Sequence, residues 1–228
     1  MLWMLLAAPT TIAGADVAAE PASGREAGTV ARGPWATESS TELDAPHRFR
    51  SGVALGLTFG GGLVGASGYP NEGTRIGDPN YYSSSGWMFG SSESFFLMGA
   101  LTDYLNFGLW YAHASSANRD WRSSGDGAGI RVEAFPMVTL LPRLAGLGLL
   151  GQFGVGVGNL SAKAAGLPRA EGTQSFLGAG VLYEWSLGPV LGGHFGVGPS
   201  LQYDTIWSQP FERHGLVAGA RVVFYGGP

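Results

Sequence analysis

The feature that most restricts this chain is a period of two that starts near Arg50 and runs to Tyr225. In LVAGARVVFY (216–225), Leu216, Ala218, Ala220, Val222 and Phe224 share one face of an extended strand. Val217, Gly219, Arg221, Val223 and Tyr225 share the other. In 190–207, Leu191, Phe195, Val197, Leu201, Tyr203 and Trp207 oppose His194, Gly196, Gly198, Ser200, Gln202 and Asp204. In 53–60, Val53, Leu55, Leu57 and Phe59 oppose Ala54, Gly56, Thr58 and Gly60; in 130–135, Ile130, Val132 and Ala134 oppose Arg131 and Glu133. One face is apolar and the other mixes glycine with polar or charged groups. Two architectures give this alternation: a soluble sheet with the apolar face inside, or a transmembrane barrel with that face against lipid.

Three properties decide for the barrel. The alternating segments run about nine to twelve residues or more, which suits a tilted membrane strand better than the usual five or six of soluble sheets. The non-apolar face is poor in Lys and Glu, and only 13% of the chain is charged, against about a quarter in soluble domains. Connections alternate between long (64–91, 115–127, 159–173) and short (101–107, 140–146, 186–193), the pattern of outer loops and periplasmic turns; SQPFER, the last outer connection, is a short exception. The segments number eight, near 50–63, 92–102, 105–115, 127–140, 146–159, 173–186, 190–207 and 213–225. The fold class expected is therefore all-β, a transmembrane up-and-down antiparallel β-barrel of eight strands, with both ends on the periplasmic side. Aromatic pairs near segment ends, at Trp87, Trp110/Tyr111, Tyr183/Trp185, Tyr203/Trp207 and Phe224/Tyr225, read as girdles at the headgroup level.

The N-terminus divides the rest. Residues 2–8 are apolar and AGA at 13–15 is a small-residue cleavage site, so 1–15 reads as a signal peptide, although no Lys or Arg precedes Arg25. Residues 16–48 are rich in Ala, Glu, Pro, Ser and Thr without apolar period and read as a disordered periplasmic lead; 49–228 is the barrel domain. Together these place the chain in the outer membrane of a Gram-negative bacterium. A net charge of −4 and a single lysine, Lys163, exclude nucleic acid as a partner. The absence of cysteine excludes thiolate metal sites and disulfides, and no cofactor or metal is expected.

One stretch invites another reading. LAGLGLLGQFGVGVGNL (144–160) is uncharged and glycine-dense. As a phosphate loop it lacks G-x-x-x-x-G-K-[ST] and any strand–helix context. As a membrane helix it is short and would carry Gly154, Gly156 and Gly158 at about 1 kcal/mol each. On a strand those glycines, with Gln152, line the inner face, and Phe153, Val155 and Val157 face lipid.

Residues 50–225, and above all FFLMGALTDYLNFGLWYAHAS and the closing GLVAGARVVFY, resemble the small eight-stranded bacterial outer-membrane β-barrel proteins. The last segment is similar to the C-terminal strand that barrel-insertion machinery recognises, though Gly226, Gly227 and Pro228 follow it. The resemblance implies membrane lipid, lipopolysaccharide and that machinery as partners. The inward polar residues Arg131, Glu133, Gln152, Glu184, His194, Gln202, Asp204 and Arg221 are expected to fill a narrow lumen with ion pairs and hydrogen bonds. The function expected is structural or surface-recognising, with loop 64–91, rich in Tyr, Ser, Gly and Asn, as a surface for a glycan or an envelope protein. Alternatives are a narrow passive, porin-like channel, a soluble barrel around an apolar ligand, and a hydrolase. For the last, HASSAN (113–118) resembles the His-x-Ser element of outer-membrane lipid A deacylases. The resemblance makes His113 and Ser115 the catalytic candidates, with Asp120, Asp126 or Glu133 as the orienting acid.

Overall fold

The computed structural model describes residues 50–164 and 169–227. The expected signal peptide (1–15) and lead (16–48) lie outside the described residues. Nine strand segments follow in order: β1 (Gly52–Gly68), β2 (Ser83–Thr102), β3 (Leu105–Ala117), β4 (Trp121–Ala134), β5 (Leu147–Ala162), β6 (Ala170–Tyr183), β7 (Trp185–Val190), β8 (Gly193–Trp207) and β9 (Phe211–Gly226). Each pairs antiparallel with its neighbour, β1 pairs with β9, and β6 pairs with β8, so the sheet closes. β6 and β7 are two halves of one wall strand. Leu182 faces Ser200 and Trp185 faces Val197 in the same register, and the ladder lapses only at Tyr183 and Glu184 between them. The wall therefore has eight positions.

Register fixes the barrel's dimensions. The partners of Leu55 run Leu97, Leu109, Ile130, Phe153, Leu177, Thr205 and His214, and His214 pairs with Gly65. One circuit thus climbs ten residues along β1. With strands ~4.8 Å apart and ~3.3 Å per residue, that stagger tilts them by about 40° and sets a radius of roughly 8 Å. An interior so narrow is filled by side chains.

The outward side chains are apolar and exposed, among them Val53, Leu55, Leu57, Phe59 and Leu63 on β1 and Phe153, Val155 and Val157 on β5. From Val53 to Leu63 the band is roughly 25 Å tall at this tilt, the height of a hydrocarbon layer. The uncharged run 144–160 falls mostly in β5, not in a membrane helix. The lumen is less polar than the alternation suggests. Ala54, Phe96, Met98, Trp110, Phe176, Ile206 and Val223 form a buried cluster within it, with Tyr225. Val64, Ala66, Met88, Leu160, Ala170 and Phe211 form another near the loop end. Trp110 and Tyr225, expected in the girdles, are therefore lumen residues. The reason is water: a plugged interior is a core, and large rings fill it where no charge needs a partner.

The connections differ from expectation too. Strands take up half of 64–91 and more than half of 115–127 and 159–173, leaving connections at 69–82, 118–120 and 163–169. Polar Ser/Gly runs such as Ser83–Ser85 are strand because their backbone still finds ladder partners (Ser84 with Ser67, Ser83 with Gly68). The recognition loop expected at 64–91 is thus confined to 69–82. At the terminal end, 140–146 is not a simple turn but part of a longer link holding a helical turn (Met137–Leu140) and a 3-10 turn (Pro142–Leu144). The 186–193 connection is mostly strand, closed by Leu191 and Gly192. Both have positive φ (53° and 75°), which matches the twist of a two-residue hairpin.

Glycine on the inner wall admits neighbours. A Cβ on Gly196 would lie 2.6 Å from Glu184 Cδ, and one on Gly56 would overlap the Phe96 ring. Gly196→Val is therefore expected to abolish the heat-modifiable folded species on gels, whereas Val155→Leu, on the exposed outward face, leaves it unchanged.

Candidate functional site

The lower lumen is built around Glu133 and Glu184, which come from β4 and from the break between β6 and β7. Arg221 on β9 bonds Glu133 Oε1 through Nη1 and donates Nη2 to Oε2 (2.8 Å) and Nε to Glu184 Oε2 (3.2 Å). Arg131 donates Nε to Glu133 Oε1 at 2.8 Å. Both guanidinium groups lie over the Phe96 ring, with Cζ 4.4 Å (Arg131) and 4.6 Å (Arg221) from its centroid. Tyr225 Oη donates to Glu184 (3.0 and 3.1 Å), and Asn106 Nδ2 reaches both Glu133 Oε2 (3.3 Å) and Tyr225 Oη (3.4 Å). Arg50, just before β1, pairs through Nε with Glu184 Oε1 at 3.4 Å and stacks on Phe135, 3.4 Å from its centroid. It also donates to the carbonyls of Asp103 (3.3 Å) and Ala145 (3.4 Å), which ties together the links of the terminal end.

This network joins Arg131, Glu133, Glu184 and Arg221 with three residues not anticipated: Arg50, Asn106 and Tyr225. Arg50 carries no periodic signal because it precedes the first strand. Asn106 and Tyr225 were legible by parity, since both sit on inward positions. Gln152, Gln202 and Asp204 form a separate group higher in the lumen, where Gln202 Nε2 donates to Gln152 Oε1 (2.9 Å) and to Asp204 Oδ1. The His194 ring lies 5.8 Å from that of Tyr225. Among the described residues no three His, Asp or Glu side chains converge as metal ligands.

His113 and Ser115 lie on the outward face of β3. His113 Nδ1 is 2.9 Å from Asp126 Oδ1, and Tyr111 Oη donates to the same oxygen at 2.7 Å. Of the three acids considered for this histidine, Asp126 is its register partner on β4, Glu133 is inside the lumen, and Asp120 sits in the 118–120 connection. Ser115 Oγ lies 3.3 Å from Ser91 Oγ. Glu93 is the register partner of His113 on β2. Its position on the face of Phe95 and Leu97 is a break in the apolar pattern that the sequence already displayed.

No known protein-family model matches the chain, and no curated protein sequence matches it. It is similar to the solved structure of Ail, the attachment invasion locus protein of Yersinia pestis, at 12% identity over 76% of this chain and 99% of that one, with a TM-score of 0.48. Neisserial surface protein A is similar at 14% identity over 75% and 97% of the two chains, TM-score 0.41. The N-terminal β-barrel domain of Pseudomonas aeruginosa OprF is similar at 14% over 77% and 98%, TM-score 0.38. The eight-position closure stands on this chain's own register.

Removing one partner from a buried ion network strands the others. Glu133→Ala leaves Arg131 and Arg221 without their shared carboxylate and is expected to lower unfolding stability in urea by about 3–5 kcal/mol. A midpoint equal to wild type would show that the network does not stabilise the barrel.

Proposed function

We propose that the chain is an outer-membrane β-barrel of a Gram-negative envelope, with a sealed lumen and a structural or surface-recognising role carried by its outside. The carrying observation is the pairing of an exposed, mostly apolar outward band with an interior of buried, mutually bonded charges. A soluble barrel has its apolar face inside, and a conducting pore needs a wet interior. In this reading the lumen residues Arg131, Glu133, Glu184 and Arg221 act as a plug. Lipid and lipopolysaccharide surround the band, insertion machinery reads β9, and the 69–82 connection and strand ends above the band meet partners. Envelope fractionation tests the placement: the protein is expected in the outer membrane with heat-modifiable mobility, and recovery from the soluble periplasm would sink it. Planar-bilayer recording is expected to give no conductance steps; discrete openings would favour the narrow-channel alternative.

A second reading, a lipid A deacylase-like hydrolase, is favoured by one observation: His113 is held by a carboxylate at 2.9 Å on the lipid-facing wall. There His113 would act as general base on the Ser115 hydroxyl. This reading expects acyl release from lipid A that is lost in Ser115→Ala; no release by the wild-type protein removes it.

A further inference from the structure

Four arginines are buried among the described residues, and three of them, Arg50, Arg131 and Arg221, share Glu133 and Glu184 at ion-pair distance. Arg213 does not. It is an inward residue of β9, only 4% exposed, and among the described residues none of its nitrogens makes a hydrogen bond or an ion pair. Its Nε is fully enclosed. The carboxylate whose charge acts on it is Asp204, which lies beyond ion-pair distance, two residues along β8 from Ile206, the register partner of Arg213. Asp204 already accepts from Gln202.

Arg213 reaches across the lumen to β4. A Cβ added to Gly125 would lie 3.6 Å from its Nη1 and 3.5 Å from Ile206 Cδ1. Gly158, the register partner of Gly125 on β5, faces Gln174 instead: a Cβ there would lie 3.2 Å from both Nε2 and Oε1, and 3.0 Å from Phe211 Cε1. The guanidinium and the amide therefore end side by side over two glycines about 5 Å apart. Gln174 is 3% exposed, and both of its amide atoms are enclosed without a partner. Ser116 Oγ, enclosed and unpartnered too, lies on the next inward rung, where Ser116 pairs with Ser123. Toward the loop end the apolar cluster of Val64, Met88, Leu160 and Phe211 roofs this part of the lumen.

A guanidinium stays ionised at any physiological pH, and a buried charge is costly unless an opposite charge meets it. Gln174 can turn its amide to present N–H donors, and Phe211 brings a ring edge, the positive part of its quadrupole. All three favour a negative occupant. One guanidinium with Asp204 beneath it calls for a single negative charge and not for two. The apolar roof excludes anything that trails an acyl chain or a sugar.

We propose that the upper lumen holds one small monovalent anion of the halide class, bonded by Arg213 and Gln174 over Gly125 and Gly158. The inference concerns the interior and goes beyond the role proposed for the outer wall. The anion does for Arg213 what Glu133 does for Arg131 and Arg221. The unfolded chain has no such site, so a bound anion stabilises the folded barrel by mass action.

The full-length mature chain, refolded in detergent, is crystallised with bromide as the only halide, and bromine is located by its anomalous scattering. One site is expected between Arg213 and Gln174. In parallel, urea unfolding is followed in chloride and in gluconate, which is too large to enter, at equal ionic strength. The folding equilibrium constant is expected to be at least about tenfold higher in chloride. Arg213→Met, which keeps the stem and removes the charge, is expected to lose both the bromine site and the chloride dependence. Gln174→Leu leaves every charge in place and is expected to weaken anion binding about tenfold, a readout that does not depend on Arg213→Met folding. Arg122→Met, at an exposed position on β4, changes neither. No bromine beside Arg213, or equal stability in the two salts, overturns the proposal and leaves Asp204 as the counter-charge. Chloride dependence that survives in Arg213→Met also overturns it. Heat-modifiable mobility is read on each sample: a folded barrel without the anion defeats this inference alone, whereas recovery from the soluble periplasm defeats the outer-membrane reading.

Discussion

The pairing of β6 with β8 leaves the sheet without a free edge, and the stagger needed to close it sets how much can fit inside. Eight positions and a ten-residue climb give an interior about one side chain deep from each wall. Most inward residues are then removed from bulk water, and they pack or bond to one another. The buried apolar clusters and the Arg–Glu network are two answers to that one requirement. The inner-wall glycines follow from it as well: where Glu184 or Phe96 leans across the lumen, the facing strand has no side chain to spare.

The buried carboxylates are shared among several donors. Glu133 serves Arg131 and Arg221, and Glu184 serves Arg221, Arg50 and Tyr225, so each carboxylate has more than one donor. A buried ion pair adds little stability by itself, since desolvation offsets much of the attraction. Its effect is on specificity. Strands β4 and β9 and the β6–β7 break must be in register for those contacts to form, so a slip of one residue would strand several charges in a dry interior. Arg50 extends the same logic to the chain that enters β1, clamping it to the links between β2 and β3 and between β4 and β5.

Outside, the same closure produces the opposite environment. The outward face is mostly apolar, but across β2–β6 carboxylates, a histidine and hydroxyls occupy two adjacent register rows, and on β8–β9 His214 bonds Tyr203 and Glu212. A wall designed only to meet hydrocarbon has no use for such a row. The lumen holds buried, mutually bonded side chains, so the polar groups free to meet a macromolecular partner lie on the outside of the barrel.

The alternation in the sequence determined the architecture, the strand positions and the face each side chain takes, because facing depends only on the local period of an extended backbone. It put Arg131, Glu133, Glu184 and Arg221 inward and His113 and Ser115 on a common face. Strand ends were not legible. Ser- and Gly-rich segments such as 83–91 look like loop by composition and are strand only because a neighbour supplies hydrogen bonds. Nor was it legible that Asp126 rather than Asp120 would meet His113. Those outcomes depend on register between strands far apart in the chain. Register is set by closure, which no single segment contains.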